Sequence, residues 1–193
     1  MMSITRRTAL GGLFIALSII LPQAVHIIGA ADLGRMLLPM HIPVLLGGFI
    51  LGPVFGLAVG AVSPVLSFLI TQTPPVGRLV FMVFELAGYG FMSGLLYRTC
   101  KLYRRGFGEL VSLLGAMVFG RLLYALALFV AADLIGVSQI GPAAVLEALA
   151  AGVIGVIVQI ILIPALVFLL KKSRVLEGVY PIKGKNPPAG GMN

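Results

Sequence analysis

The sequence predicts an all-α integral membrane protein, a compact bundle of six transmembrane helices with both termini cytoplasmic. Three observations carry that expectation. Hydrophobic residues make up 60% of the 193 residues and charged residues only 10%, where a soluble domain carries roughly 25%. Mean hydropathy is +1.12. The cations sit in clusters between long uncharged runs, and the length suits about six spans of roughly 20 residues with short connectors. The net charge of +8 therefore reads as membrane orientation, and no nucleic-acid partner is expected. Cys100 is the single cysteine, so no intrachain disulfide can form.

The first helix is expected over about residues 8–28. Its uncharged run, behind Arg6 and Arg7, outlasts the roughly 7–15 residues of a signal-peptide core, so it reads as a retained span. Pro22 falls in its outer half, and Gly12 and Ala16, four apart, share one face where another backbone can come close. Residues 29–35, GAADLGR, form a small polar loop.

Residues 36–77 carry no charge and are long enough for two spans. Gly52-Pro53 divides them into a second helix over about 39–51 and a third over about 54–70. The second is short, which suits a tilted helix or one sheltered by protein. Gly52, Gly56 and Gly60 recur every four residues, a close-packing stripe. Residues 71–75, TQTPP, make a second polar loop.

A fourth helix follows over about 79–97 with Glu85 inside it and Gly90 and Gly94 on one face. A basic connector with Arg98, Lys101, Arg104 and Arg105 leads to a fifth helix over about 110–132, with Arg121 at its middle. After a third polar loop, a sixth helix over about 143–170 stops at Lys171-Lys172. Residues 1–170 thus form one domain, and residues 171–193 a basic tail whose Lys, Gly and Pro content predicts disorder. With both termini inside, every one of the 14 Lys and Arg except Arg35, Arg78 and Arg121 lies on the cytoplasmic side, as the positive-inside rule requires. The inner basic surface then suits lipid headgroups or a cytoplasmic partner.

Charges inside a membrane are costly, so Glu85 and Arg121 are the strongest single-residue signals. Arg121 lies midway between Glu109 and Asp133, and Glu85 lies about 10 Å beyond Arg78 at 1.5 Å per residue. Two readings stand side by side: a structural ion pair between the fourth and fifth helices, or a polar pocket for a ligand's carboxylate or amide. Tyr89, one turn from Glu85, and Tyr124, about one turn from Arg121, suit the same cavity or interhelical hydrogen bonds. Glu147 either joins the pocket or favours the start of the sixth helix, and Gln159 lies about 120° around that helix from it. His26 and His41 flank the first outer loop with no metal-ligand spacing, so His41 reads as a pocket or loop-ordering residue. No nucleophile elbow, HExxH or P-loop is present, and neither catalysis nor a cofactor is expected.

Two stretches, HIPVLLGGFILGPVFGLAVG at residues 41–60 and FELAGYGFMSGLLY at residues 84–97, resemble the substrate-binding S components of energy-coupling factor (ECF) vitamin transporters. The resemblance covers about residues 8–170 and agrees in size and helix number. It implies capture of a water-soluble vitamin from outside in a pocket roofed by outer loops. Delivery inward then requires a membrane coupling (T) subunit and two cytoplasmic ATPases in the cell membrane. It also implies that a small-residue AxxxA patch on the first helix, here Gly12 and Ala16, contacts the coupling subunit; glycine replaces the first alanine. The pocket residues expected are Arg35, His41, Arg78, Glu85, Tyr89, Arg121, Tyr124 and Glu147. The three arginines suit an anionic vitamin; Asp32, Glu85, Asp133 and Glu147 suit one rich in hydroxyls or nitrogen. The competing readings are an intramembrane enzyme using Glu85 and His41, and a structural assembly protein.

Overall fold

The structure, a computed structural model, describes residues 2–27, 37–104, 107–135 and 152–172. Among these, six α-helices follow one another: α1 (Ile4–Ile27), α2 (His41–Leu51), α3 (Pro53–Thr71), α4 (Val76–Gly94), α5 (Gly108–Ile135) and α6 (Val153–Lys172). Five of them are long and apolar enough to cross a membrane. The exception is α2, whose 11 residues rise only about 16 Å against a hydrocarbon core of about 30 Å.

The local chemistry sets the helix ends. α1 begins earlier than its apolar run because the Ser3 hydroxyl accepts the Arg6 N–H at 3.3 Å, so both arginines lie in its first turns. α2 starts only at His41, whose N–H bonds the Leu38 carbonyl at 3.0 Å; Pro39 and Met40 form the preceding turn. It ends at Gly52, which at φ 96° closes the last turn through its N–H on the Gly48 carbonyl. That backbone region favours glycine. Pro53 then opens α3, where a missing N–H costs nothing. Helix therefore meets helix without a loop. α4 runs on through one π turn, Leu95–Thr99, into a 3₁₀ turn, Leu102–Arg104.

The bundle is built around α2. Val44, Leu45 and Phe49 are fully buried, and α1, α3, α4 and α6 all pack against it. A helix too short to span is thus sheltered by protein, which satisfies its surroundings without lipid contact. Small residues set how closely its neighbours approach. A Cβ on Gly56 would overlap the Gly90 carbonyl oxygen, one on Gly90 the Gly56 carbonyl, and one on Gly48 both Ser93 Oγ and Gly90. α2, α3 and α4 therefore cross backbone to backbone, an arrangement open only to glycine. Facing outward, Leu13, Ile20, Leu69, Val118, Phe129, Ile161 and Phe168 are exposed, as lipid-facing side chains of a membrane bundle are.

Contacts define the two ends. At one, the Arg98 guanidinium donates to the carbonyls of Ile50 and Leu51 at 3.1 and 2.8 Å, closing the end of α2. Beside it, Glu109 of α5 accepts from the Tyr97 hydroxyl at 3.0 Å and from Lys171 of α6. Lys171 also lies over the Tyr97 ring. At the other end, Gln23 of α1 donates to Thr73 at 3.1 Å, and Gln159 of α6 reaches the Leu38 carbonyl at 3.5 Å. Of the tail expected over residues 171–193, Lys171 and Lys172 end α6, and residues 173–193 lie outside the described residues.

Candidate functional site

Near the end that holds His41, four side chains from three helices meet around one oxygen. Glu85 Oε1 of α4 accepts the Tyr89 hydroxyl at 2.9 Å, lies 3.2 Å from Arg121 Nη1 of α5, and lies 3.8 Å from His41 Nε2 of α2. Helical spacing accounts for the first contact, because residues 85 and 89 stand one above the other on α4. The start of α2 delivers His41, whose ring tilts over Tyr89 with centroids 5.2 Å apart. Arg121 comes from the middle of α5. Gly120 makes room for the Tyr89 ring, which a Cβ there would overlap.

The cluster is dry. Glu85 is 4% exposed, while His41 and Tyr89 are each 2% exposed. A carboxylate in such surroundings needs a counter-charge and donors; Arg121 supplies the one and Tyr89 completes the other. What the cluster leaves open is equally specific. Neither ring nitrogen of His41 has a hydrogen-bond partner among the described residues, and neither does Arg121 Nη2. Buried donors without partners are uncommon in native proteins. Arg121 Nη2 points toward Gly152, just before α6, where an added Cβ would lie 2.6 Å from it.

Arg121 also lines a cleft of about 530 Å³ between α5 and α6. Its walls are otherwise apolar, with Met117, Leu122 and Ala125 on one side and Val153, Val156 and Ile157 on the other. Tyr124 borders this cleft and packs edge-on against Phe81 at 6.1 Å. A small polar focus beside an apolar wall is the usual composition of a small-molecule site.

Of the residues expected from sequence, the structure joins His41, Glu85, Tyr89 and Arg121 directly and sets Tyr124 beside them. The depth difference between Glu85 and Arg121 does not keep them apart, because the arginine side chain spans it. Arg78 is exposed in the first turn of α4 and does not enter the cluster. Arg35 and Glu147 lie outside the described residues, as do Asp32 and the side chains of His26 and Asp133. Gln159 is buried but spends its amide on Leu38. Gly12 and Ala16 face away from the bundle, with nothing within 4 Å of a Cβ placed on Gly12. Sequence reasoning missed the Tyr97–Glu109–Lys171 network. Its signal was an acid in the first turn of one helix and a lysine in the last turn of the next. Antiparallel neighbours bring those two ends together. No group of three metal-ligating side chains occurs among the described residues.

Compared with known families, residues 6–169 match the model described as ECF transporter, substrate-specific component. No curated protein and no solved structure matches the chain.

Proposed function

Because the chain belongs to the substrate-specific component family of ECF transporters, we propose that it is the binding subunit for uptake of a water-soluble vitamin or related small molecule. The ligand is captured from outside and passed inward together with a membrane coupling subunit and two ATPase subunits. The observation that carries this reading is the buried His41–Glu85–Tyr89–Arg121 cluster, with nitrogens that lack a hydrogen-bond partner among the described residues, set beside an apolar cleft. Among the described residues, Arg121 Nη2 and the His41 ring nitrogens carry no hydrogen bond, which leaves them able to form one with a ligand.

In this reading all six helices form one membrane domain over residues 1–170 in the cell membrane, with residues 171–193 as a cytoplasmic tail. The basic end, with Arg98, Arg104 and Lys171, faces the cytoplasm, in keeping with the positive-inside rule. The His41 end then opens outward, where a nutrient arrives. His41, Glu85, Tyr89 and Arg121 hold the ligand; Tyr124, Arg78, Arg35 and Glu147 border its entry. Gly12 and Ala16 give the coupling subunit a flat patch on α1, a role supported by their exposure and by the absence of any bundle contact at Gly12.

The test is a stability screen of the purified protein against water-soluble vitamins, followed by calorimetry on any hit. With Trp 0, indole fluorescence offers no signal. A single saturable ligand, weakened when Arg121 is replaced by Met, is the expected result. A protein that no vitamin stabilises would sink the proposal.

A further inference from the structure

The charge balance at the cluster says what kind of ligand it takes. Arg121 is the one arginine or lysine that reaches the buried cluster among the described residues, and Nη1 is already committed to Glu85 at 3.2 Å. Arg78 stays exposed at the start of α4, about 10 Å from Glu85 along the helix. The remaining capacity is one guanidinium nitrogen, Arg121 Nη2, and the two ring nitrogens of His41. A neutral imidazole offers one donor and one acceptor.

We infer that the ligand of this site is an uncharged molecule that presents a carbonyl, amide or ring-nitrogen acceptor to Arg121 Nη2, and not a carboxylic acid. The inference rests on the binding reading above. A ligand carboxylate on Nη2 would share a single guanidinium with Glu85. Two negative charges a few ångströms apart would then share one guanidinium beside a carboxylate that is only 4% exposed, where Coulomb repulsion is weakly screened. An amide or carbonyl oxygen accepts the same hydrogen bond and leaves the Glu85–Arg121 pair balanced. The cleft walls Met117, Leu122, Val156 and Ile157 likewise offer a ligand packing surface and carry no charge of their own. The sequence left anionic and neutral ligands equally open; the burial and pairing of Arg121 separate them.

The experiment uses matched acid and neutral probes: nicotinate and nicotinamide, biotin and biotin amide, pantothenate and its alcohol, 4-pyridoxate and pyridoxal. Affinities of the purified full chain are measured by calorimetry for wild type and for Glu85→Gln, which keeps an acceptor for Tyr89 and removes the competing charge. For the pair that binds, the neutral member is expected to bind roughly tenfold or more tighter to wild type. In Glu85→Gln, the unbalanced arginine should shift the ratio toward the acid by a similar factor. Tighter binding of the acid to wild type overturns the inference and leaves the binding reading standing, and so does a ratio that a folded Glu85→Gln leaves unchanged. If Glu85→Gln does not fold, the wild-type ratio alone decides. Failure of every probe, together with a negative vitamin screen, removes the binding reading itself.

Discussion

Replacing Arg121 by methionine strips Glu85 of its counter-charge while keeping a side chain of similar reach. The carboxylate stays 4% exposed and retains the Tyr89 hydroxyl at 2.9 Å as its one close hydrogen bond in the cluster. Breaking a buried pair from one side costs about 3–5 kcal/mol. For a chain of this size, that lowers the melting temperature by roughly 6–20 °C. The double variant Glu85→Gln/Arg121→Met behaves differently. The glutamine amide still accepts the Tyr89 hydroxyl, no charge is left unpaired, and the loss falls to about 1–2 kcal/mol. The double variant should therefore melt several degrees above the single one, an inversion that independent sites cannot produce. Circular dichroism melts of purified protein in one detergent, without ligand, read both numbers. If Arg121→Met melts with wild type, or if the double variant is the least stable of the three, the ion pair does not carry the electrostatics argued for it.

Four further outcomes follow from the geometry. Gly90→Ala drives a Cβ into the Gly56 carbonyl and should cost about 1–3 kcal/mol. The same change at Gly12, where nothing lies within 4 Å, should leave the melt unchanged or slightly raise it. Arg98→Met removes both hydrogen bonds that close α2 and should cost about 1–3 kcal/mol by the same melts. Leucine at both Gly12 and Ala16 should leave ligand binding intact and abolish co-purification with the coupling subunit; undiminished co-purification would remove that patch from the account.

Much of this architecture is legible in the sequence because a bilayer makes its rules strict. Gly52-Pro53 marks the turn between α2 and α3 because glycine alone tolerates the required φ and proline alone loses nothing at the next position. The Gly56 and Gly60 stripe announces a close crossing, though its partner, α4 through Gly90 and Leu86, emerges only in three dimensions. Glu85 and Arg121 stand out because isolated charges in apolar runs are costly, and helical spacing adds Tyr89. His41 is legible as a pocket candidate, yet its place over Tyr89 depends on where α2 starts, which the Leu38 carbonyl sets. The central burial of α2 is less visible. A uniformly apolar segment looks the same facing lipid or facing protein, so its shortness is the only hint. The Tyr97–Glu109–Lys171 network was hidden for a related reason: charges at helix ends are ordinary, and only packing shows which ones meet.

The most direct test of the account is to measure, on the purified chain, the affinity of the ligand found by the vitamin screen for wild type and for His41→Ala, Tyr89→Phe, Arg121→Met and Gly12→Leu. The account predicts that His41→Ala and Arg121→Met weaken binding by roughly tenfold or more, the worth of one buried hydrogen bond to a charged or well-placed partner; Tyr89→Phe, whose hydroxyl is spent on Glu85, should weaken it less, and Gly12→Leu should bind as wild type does. Wild-type affinity in all the cluster variants would place the ligand elsewhere and contradict it.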